Sequence, residues 1–189
     1  MNVYDFDETI YDGESELEFF FYYLKKTPSL IKFIPKVFHA LFKYNAGKLT
    51  VDEIFENYAG LCEDYLRTIK DIDSDSLDFW NKHEKKIKPF YASLHRDDDV
   101  IITASPERTT KIICDRLGIK YCIGSKIDFE NCKIENITMR QKKIPAFLEA
   151  FPDAKIDNFY TDSVKNDGPL IDMAEHAFIV KGNKITQIK

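Results

Sequence analysis

The sequence predicts an α/β protein, a Rossmann-like parallel sheet with helices on both faces, carrying an inserted all-helical block. Three observations lead there. A short apolar strand signal, Val3 to Phe6, opens the chain; strand-like and helix-like stretches alternate from Val100 onward; and nearly everything between reads as helix. The first strand therefore has no partner until residue 100, which places the block between two strands of one sheet. Residues 1–12 and 98–189 are expected to form the core domain and 13–97 the inserted helical cap, a division that suits a chain of 189 residues.

Taken in order, Glu14 to Lys26 is expected to be helical, with Leu17, Phe19, Phe20, Phe21 and Leu24 supplying apolar positions. Thr27-Pro28 starts a second helix through Tyr44, kinked at Pro35 and stopped by Asn45-Ala46-Gly47. Thr50-Val51-Asp52-Glu53 is a capping-box sequence, and Val51, Ile54, Phe55, Tyr58, Cys62, Tyr65 and Leu66 continue it at helical spacing. A helix over Ser76 to Lys86 and a short turn over Pro89 to Leu94 complete the block. Beyond it, strands are expected at Val100 to Thr103, Tyr121 to Gly124, Asn158 to Thr161, Phe178 to Val180 and Lys184 to Ile188. Helices are expected at Glu107 to Leu117, Lys143 to Phe151 and Pro169 to Ala174, with a weak hairpin over Cys132 to Thr138.

A formal net charge of -5 argues against a nucleic-acid binder, which needs a basic surface to displace counterions from phosphates. The four cysteines are widely spaced, without a Cys-x-x-Cys pair, and read as reduced thiols rather than zinc ligands. An acidic motif begins at residue 5, where a secretory signal would need a positive start and an apolar run, so a cytoplasmic location is expected.

That motif is Asp5-Phe6-Asp7-Glu8-Thr9, two carboxylates one residue apart at a strand mouth. Like charges this close favour a bound cation or a retained proton, and the pair suits phosphoryl transfer, one acid attacking phosphorus and the other serving the leaving oxygen. The plainer reading is an acidic turn in which Asp7 or Thr9 caps the next segment. Val100 to Pro106 is an apolar strand ending in Thr103, Ala104 and Ser105 before a helix, where free amides favour an anion, although Thr103 or Ser105 equally suits a helix cap. Lys142-Lys143 stands at a helix start, where the dipole disfavours a cation unless an anion is bound nearby; Lys143 is the first choice, Lys142 the alternative, and a solvated pair the bland reading. Phe159 to Asp167 is a further acidic strand tip, with Asp162 and Asp167 offering hard oxygens for magnesium or simply an Asx turn and a cap.

These four stretches, in this order along the whole chain, resemble the four motifs of the haloacid dehalogenase superfamily. The resemblance implies a Mg2+-dependent phosphomonoesterase acting through an aspartyl-phosphate, with Asp5 as nucleophile and Asp7 as acid/base. It implies phosphate contacts from Thr103 and Lys143 with the neighbouring Ala104 and Ser105, and a metal shell drawn from Asp5, Asp7 through its backbone carbonyl, and Asp162, supported by Asp167. Asp7 points to phosphate esters, because the dehalogenases of the superfamily lack the second aspartate. The helical block and the Thr-Ala-Ser-Pro-Glu sequence resemble the phosphoserine phosphatase-like branch (subfamily IB), in which Glu14 falls where a substrate-amine carboxylate is carried. Arg67 is the one arginine before residue 96, and the glycine that often precedes the third-motif lysine is absent.

Residues 19–51 hold six lysines and no acid, so the remainder of the chain carries -11. Lys32, Lys36, His39 and Lys43 share a helix face, while Leu30, Ile31, Ile34, Val37, Phe38, Leu41 and Phe42 form a broad apolar one. Either the apolar stripe packs inside the cap, or residues 19–48 lie peripherally on a membrane surface. The segment also resembles the cap of C-type phosphatidylglycerophosphatases. The expected partner is thus a small phosphorylated metabolite, with a lipid phosphate and a catalytically silent phosphate-binding adaptor as alternatives.

Overall fold

The computed structural model describes the backbone of residues 1–189 and the side chains of all but 45, 51, 52 and 54–56. Strands β1 (Asn2–Tyr4), β2 (Val100–Pro106), β3 (Tyr121–Asp128), β4 (Lys133–Asn136), β5 (Asn158–Thr161), β6 (His176–Lys181) and β7 (Lys184–Gln187) form one sheet in the order β4-β3-β2-β1-β5-β6-β7. The five central strands are parallel and the two edge strands antiparallel. The chain leaves β1 toward β2 on one side and returns on its other side at β5. This order makes the carboxyl ends of β1, β2 and β5 the crevice of a doubly wound sheet.

Helices cover both faces, and the strands alternate between them. Tyr4, Ile101 and Tyr160 enter one apolar cluster, while Val3, Val100, Ile102 and Phe159 enter the other with Phe147, Leu170 and Ile171. On the first face the rings of Tyr4, Tyr160 and Phe178 stack across β1, β5 and β6, with centroids 4.6 and 4.8 Å apart. Such offset aromatic pairs add to the area they bury and fix the lateral register of the central strands.

Between β1 and β2 run α1 (Ser15–Lys26), a 3-10 turn (Pro28–Phe33), α2 (Ile34–Asn45), α3 (Val51–Leu66), α4 (Ile72–His83) and α5 (Phe90–Leu94). The two passages joining this block to the sheet are pinned together: Tyr11 bridges Ile87, Lys88 N donates to Ile10 O at 2.8 Å, and Asp12 N to Lys86 O at 2.9 Å. Trp80, buried against Phe6 and Tyr11, donates its indole N–H to Thr109 O at 2.8 Å and so ties α4 to α6 (Glu107–Arg116).

Several boundaries differ from the sequence expectation. The second helix divides at Pro35, which cannot donate within a helix and instead sits in the first turn of α2. The capping box of α3 forms at Thr50 and Glu53, whereas the side chains of Val51, Ile54 and Phe55 lie outside the described residues. Helix α4 starts at Ile72 rather than Ser76, because Asp71 accepts from Ser74 N at 3.0 Å and caps it. The weak hairpin becomes one strand, β4, paired with an extended β3. The last helix, α8 (Val164–Met173), begins under the Ser163 cap and passes through Pro169, where the sequence expectation began it; α7 (Lys143–Ala150) lies close to its expected place.

Gly124 on β3 lies tight against the start of α6. A Cβ there would meet Glu107 Cα at 2.6 Å, Glu107 N at 2.7 Å and Ser105 O at 2.7 Å, all backbone atoms. Relief requires moving the strand end that carries Ser105. We expect Gly124→Ala to cost about 1–3 kcal/mol, the range for overpacking, and to lower the melting temperature in thermal unfolding; an unchanged melting temperature would contradict this packing.

Candidate active site

Because β1 and β5 are parallel neighbours with Tyr4 opposite Tyr160, Asp5 and Asp162 emerge from adjacent strand tips at the same edge of the sheet. Asp5 N donates to Tyr160 O at 2.9 Å, extending the ladder to the residue that carries the carboxylate. Thr103 and Ser105 leave the sheet at the same edge, on β2.

The centre of the cluster is Lys143, the first residue of α7. Its side chain is 5% exposed, and its Nζ lies 2.7 Å from Asp5 Oδ1 and 2.8 Å from Asp167 Oδ1. Desolvation opposes a charge there, but the two carboxylates outweigh it and hold the ammonium above the ordinary lysine range. The other oxygens are also engaged: Thr9 Oγ1 donates to Asp5 Oδ2 at 3.2 Å, and Thr161 Oγ1 to Asp167 Oδ2 at 2.6 Å. Burial, joined by the charges of Asp167 and Asp7, outweighs Lys143 and pushes Asp5 up to about 7.

Asp7 sits in a different environment. Ser15 N donates to its Oδ1 at 2.7 Å and Ser105 Oγ to its Oδ2 at 2.8 Å, and the two serine hydroxyls are 3.1 Å apart. Burial nonetheless raises its pKa, while the bonds from Ser15 and Ser105 favour the charged form and oppose the rise. Thr103 is buried and its Oγ1 accepts from Ser105 N at 3.1 Å, which leaves its O–H free to donate to an incoming anion. The tip of β2 is held from behind, with Ser125 Oγ donating to Ala104 O at 2.5 Å and accepting from Thr138 N at 3.1 Å.

Asp162 and Glu14 stand at the rim. Burial, then the charges of Asp167 and Glu8, raises Asp162, while Lys181 Nζ, 3.9 Å from its Oδ2, and Lys143 oppose the rise. Glu14 keeps an accessible surface, yet desolvation and the charges of Asp7, Glu8 and Asp162 push it up to about 7. It makes no side-chain cap for α1. Among the described residues no three His, Cys, Asp or Glu side chains form a ready metal cluster. The expected shell is Asp5, Asp162 and the Asp7 backbone carbonyl with Asp167 in support; the Asp7 carboxylate itself turns to Ser15 and Ser105, and Asp167 turns to Lys143 and Thr161.

Sequence reasoning passed over four contributors. Ser15 and Thr161 are small hydroxyl residues in positions that equally suit caps. Lys88 is 4% exposed, and its ammonium donates to the backbone oxygen of Glu8, a residue in the left-handed region at φ 56°. Nothing in the sequence distinguishes it from the neighbouring Lys85 and Lys86. Tyr44, from α2, reaches the sheet edge: its Oη donates to Met139 Sδ at 3.0 Å, and its ring centroid lies 4.1 Å from the Arg140 guanidinium carbon. The Tyr44 hydroxyl also feels the charges of Lys143 and Asp167.

Raised acid pKa values make stability depend on pH. Asp5 and Glu14 bind protons more tightly folded than unfolded, so the stability they contribute is complete below an ordinary carboxylate pKa near ~4 and is lost as pH rises through about 7. We expect the metal-free protein to melt progressively lower from pH 5 to pH 8, with Asp5→Asn flattening part of that slope. A melting temperature that climbs over this interval, or a slope untouched by Asp5→Asn, would contradict the assignment.

Three solved structures share this architecture. A protein of unknown function from Bordetella pertussis Tohama I superposes with a TM-score of 0.74 at 16% identity, over 94% of this chain and 87% of that one. A phosphoserine phosphohydrolase-like protein from Francisella tularensis gives 0.60 at 16% identity, over 94% and 86%. A HAD family hydrolase from Salmonella enterica serovar Typhi gives 0.63 at 12% identity, over 91% of this chain and 59% of that one. At such identities the likeness establishes the fold. No curated protein matches the chain in sequence. The family model for haloacid dehalogenase-like hydrolases, however, matches residues 3–172, and the chain belongs to that family.

Proposed function

We propose that this hydrolase is a magnesium-dependent phosphomonoesterase that works through an aspartyl-phosphate on Asp5. The observation that carries the reading is the buried Lys143 ammonium held between Asp5 and Asp167, with Asp7 kept apart on Ser15 and Ser105. Asp5, beside the ammonium, is assigned the attack and Asp7, on hydroxyl and amide donors, the proton, from environments that differ although only one residue separates them.

In the first step an Asp5 oxygen bonds to phosphorus and the ester P–O bond breaks. Asp7 gives its proton to the leaving oxygen. In the second, water loses a proton to Asp7 and attacks phosphorus, releasing inorganic phosphate and the free Asp5 carboxylate. Lys143 and the Thr103 hydroxyl face the charge on the phosphoryl oxygens throughout.

The donor set fits magnesium. Against the ammonium of Lys143, and that of Lys181 at the rim, stand the carboxylates of Asp5, Asp7, Asp162 and Asp167, an excess of acidic groups offering hard oxygen donors. Magnesium is commonly held by one or two carboxylates, waters and substrate phosphate, so Asp5, Asp162 and the Asp7 carbonyl suffice without a closed cluster. The ion, when bound, cancels charge on phosphate and carboxylate together. Glu14, at the mouth, is suited to a cationic part of the substrate, and the helical block to covering it.

A second reading, a lipid-phosphate substrate met at a membrane surface, rests on α2 and the turn before it. Ile31 is 65%, Phe38 50% and Phe42 70% exposed, beside Lys32, Lys36 and Lys43. No helix among the described residues is long and apolar enough to cross a membrane, so this contact would be peripheral.

We expect Asp5→Asn to reduce magnesium-dependent hydrolysis of p-nitrophenyl phosphate by on the order of 10^3-fold or more. Asp7→Asn should lower it by ~10^2-fold or more, the usual contribution of general acid catalysis. Unchanged turnover in Asp5→Asn would refute the mechanism. For the second reading, co-sedimentation with anionic but not zwitterionic vesicles, lost in Lys32→Glu/Lys36→Glu/Lys43→Glu, is the expected result. Equal recovery with both vesicles would remove that reading, and vesicle binding without phosphatase activity would favour an adaptor.

A further inference from the structure

We infer that Arg140 recognises a second anionic group on the substrate, apart from the phosphate being cleaved. The inference rests on the phosphatase reading and narrows its substrate class to phosphate esters that carry another acid, a carboxylate or a second phosphate.

The chain has five arginines. Four are paired: Arg67 with Glu63 and Asp64, Arg96 with Asp98 and Asp157, Arg108 with Asp73 and Glu130, and Arg116 with Glu84. Arg140 has no carboxylate partner among the described residues. Its Nε donates to Asn166 Oδ1 at 3.2 Å, and its two terminal amino groups have no acceptor there. A half-buried guanidinium left in this way lacks the anion that its planar fork is shaped to bind.

Its placement is that of a recognition group. Arg140 lies three residues before Lys143, and Asn166, which orients it, adjoins Asp167, so the same two segments hold both cations. The guanidinium carbon lies 4.1 Å from the Tyr44 ring centroid, a cation–π contact that helps hold the group in place. The backbone of Arg140 is in the left-handed region at φ 53°, a conformation that costs a non-glycine residue energy and tends to persist where function demands it. Tyr44 comes from α2, so the guanidinium sits at the seam between the helical block and the sheet edge. With Asp5 attacking from the sheet side, the ester's leaving group lies toward that seam. Asn166 thus supports Arg140 as Thr161 supports Asp167.

The test is calorimetric binding, with Mg2+ present, of three non-hydrolysable probes: propylphosphonate, 3-phosphonopropionate and propane-1,3-diphosphonate. The wild type is expected to bind at least one doubly acidic probe roughly tenfold or more tighter than propylphosphonate, the size of a charge-assisted hydrogen bond. Arg140→Ala should remove that preference, and Arg140→Lys, which keeps the charge without the fork, should retain part of it and serve if the alanine variant fails to fold. A wild type without preference, a preference that survives in both variants, or equal weakening of all three probes would overturn the inference. The two readings separate cleanly: preference without aryl phosphate hydrolysis sinks the phosphatase reading alone, and hydrolysis without preference sinks this one alone.

Discussion

The ammonium of Lys143, enclosed between the carboxylates of Asp5 and Asp167, is the interaction on which the site depends. A buried cation is tolerable only when its partners are fixed and close, and each carboxylate here is held from a second direction, Asp5 by Thr9 and Asp167 by Thr161. Those anchors belong to the two ends of the chain, more than 130 residues apart in sequence, and only the parallel pairing of β1 with β5 brings them to one edge. The aromatic stack of Tyr4, Tyr160 and Phe178 beneath that edge is therefore part of the site's construction.

The helical block reaches Asp7 through Ser15. Ser15 N, in the first turn of α1, holds Asp7 Oδ1, while Ser105 at the tip of β2 holds the other oxygen. The orientation of Asp7 is thus set jointly by block and sheet. The paired passages at Tyr11 and Ile87, with Lys88 gripping the strained Glu8 carbonyl, keep the connecting loop in register with β1. Movement of the block relative to the sheet would act on Asp7 before it acted on Asp5.

Much of this was legible in the sequence, for identifiable reasons. The sheet and its two-faced burial followed from apolar runs such as Val100 to Ile102, and the edge location of Asp5, Thr103 and Asp162 followed from their place after those runs. Lys143 stood out because a cation at a helix start needs an anion nearby. Spacing says nothing of which donors a carboxylate will meet, so the partners of Asp7, Ser15 and Ser105, and those of Asp167, Thr161 and Lys143, could not be read from it. Lys88, Tyr44 and Arg140 were illegible for a related reason. Their significance lies in contacts across the fold, and locally each looks like an ordinary surface residue. Helix starts at Ile72 and Val164 were missed because a capping Asp71 or Ser163 overrode the apolar spacing and the proline that the sequence reading followed.

The most direct measurement is a crystal structure of the protein with Mg2+ and beryllium fluoride, a mimic of the phosphorylated carboxylate. The expected result is beryllium bonded to an Asp5 oxygen, its fluorides facing Lys143 and Thr103, and one metal ion between Asp5 and Asp162. Beryllium fluoride bound at Asp7, or away from both aspartates, would contradict the account.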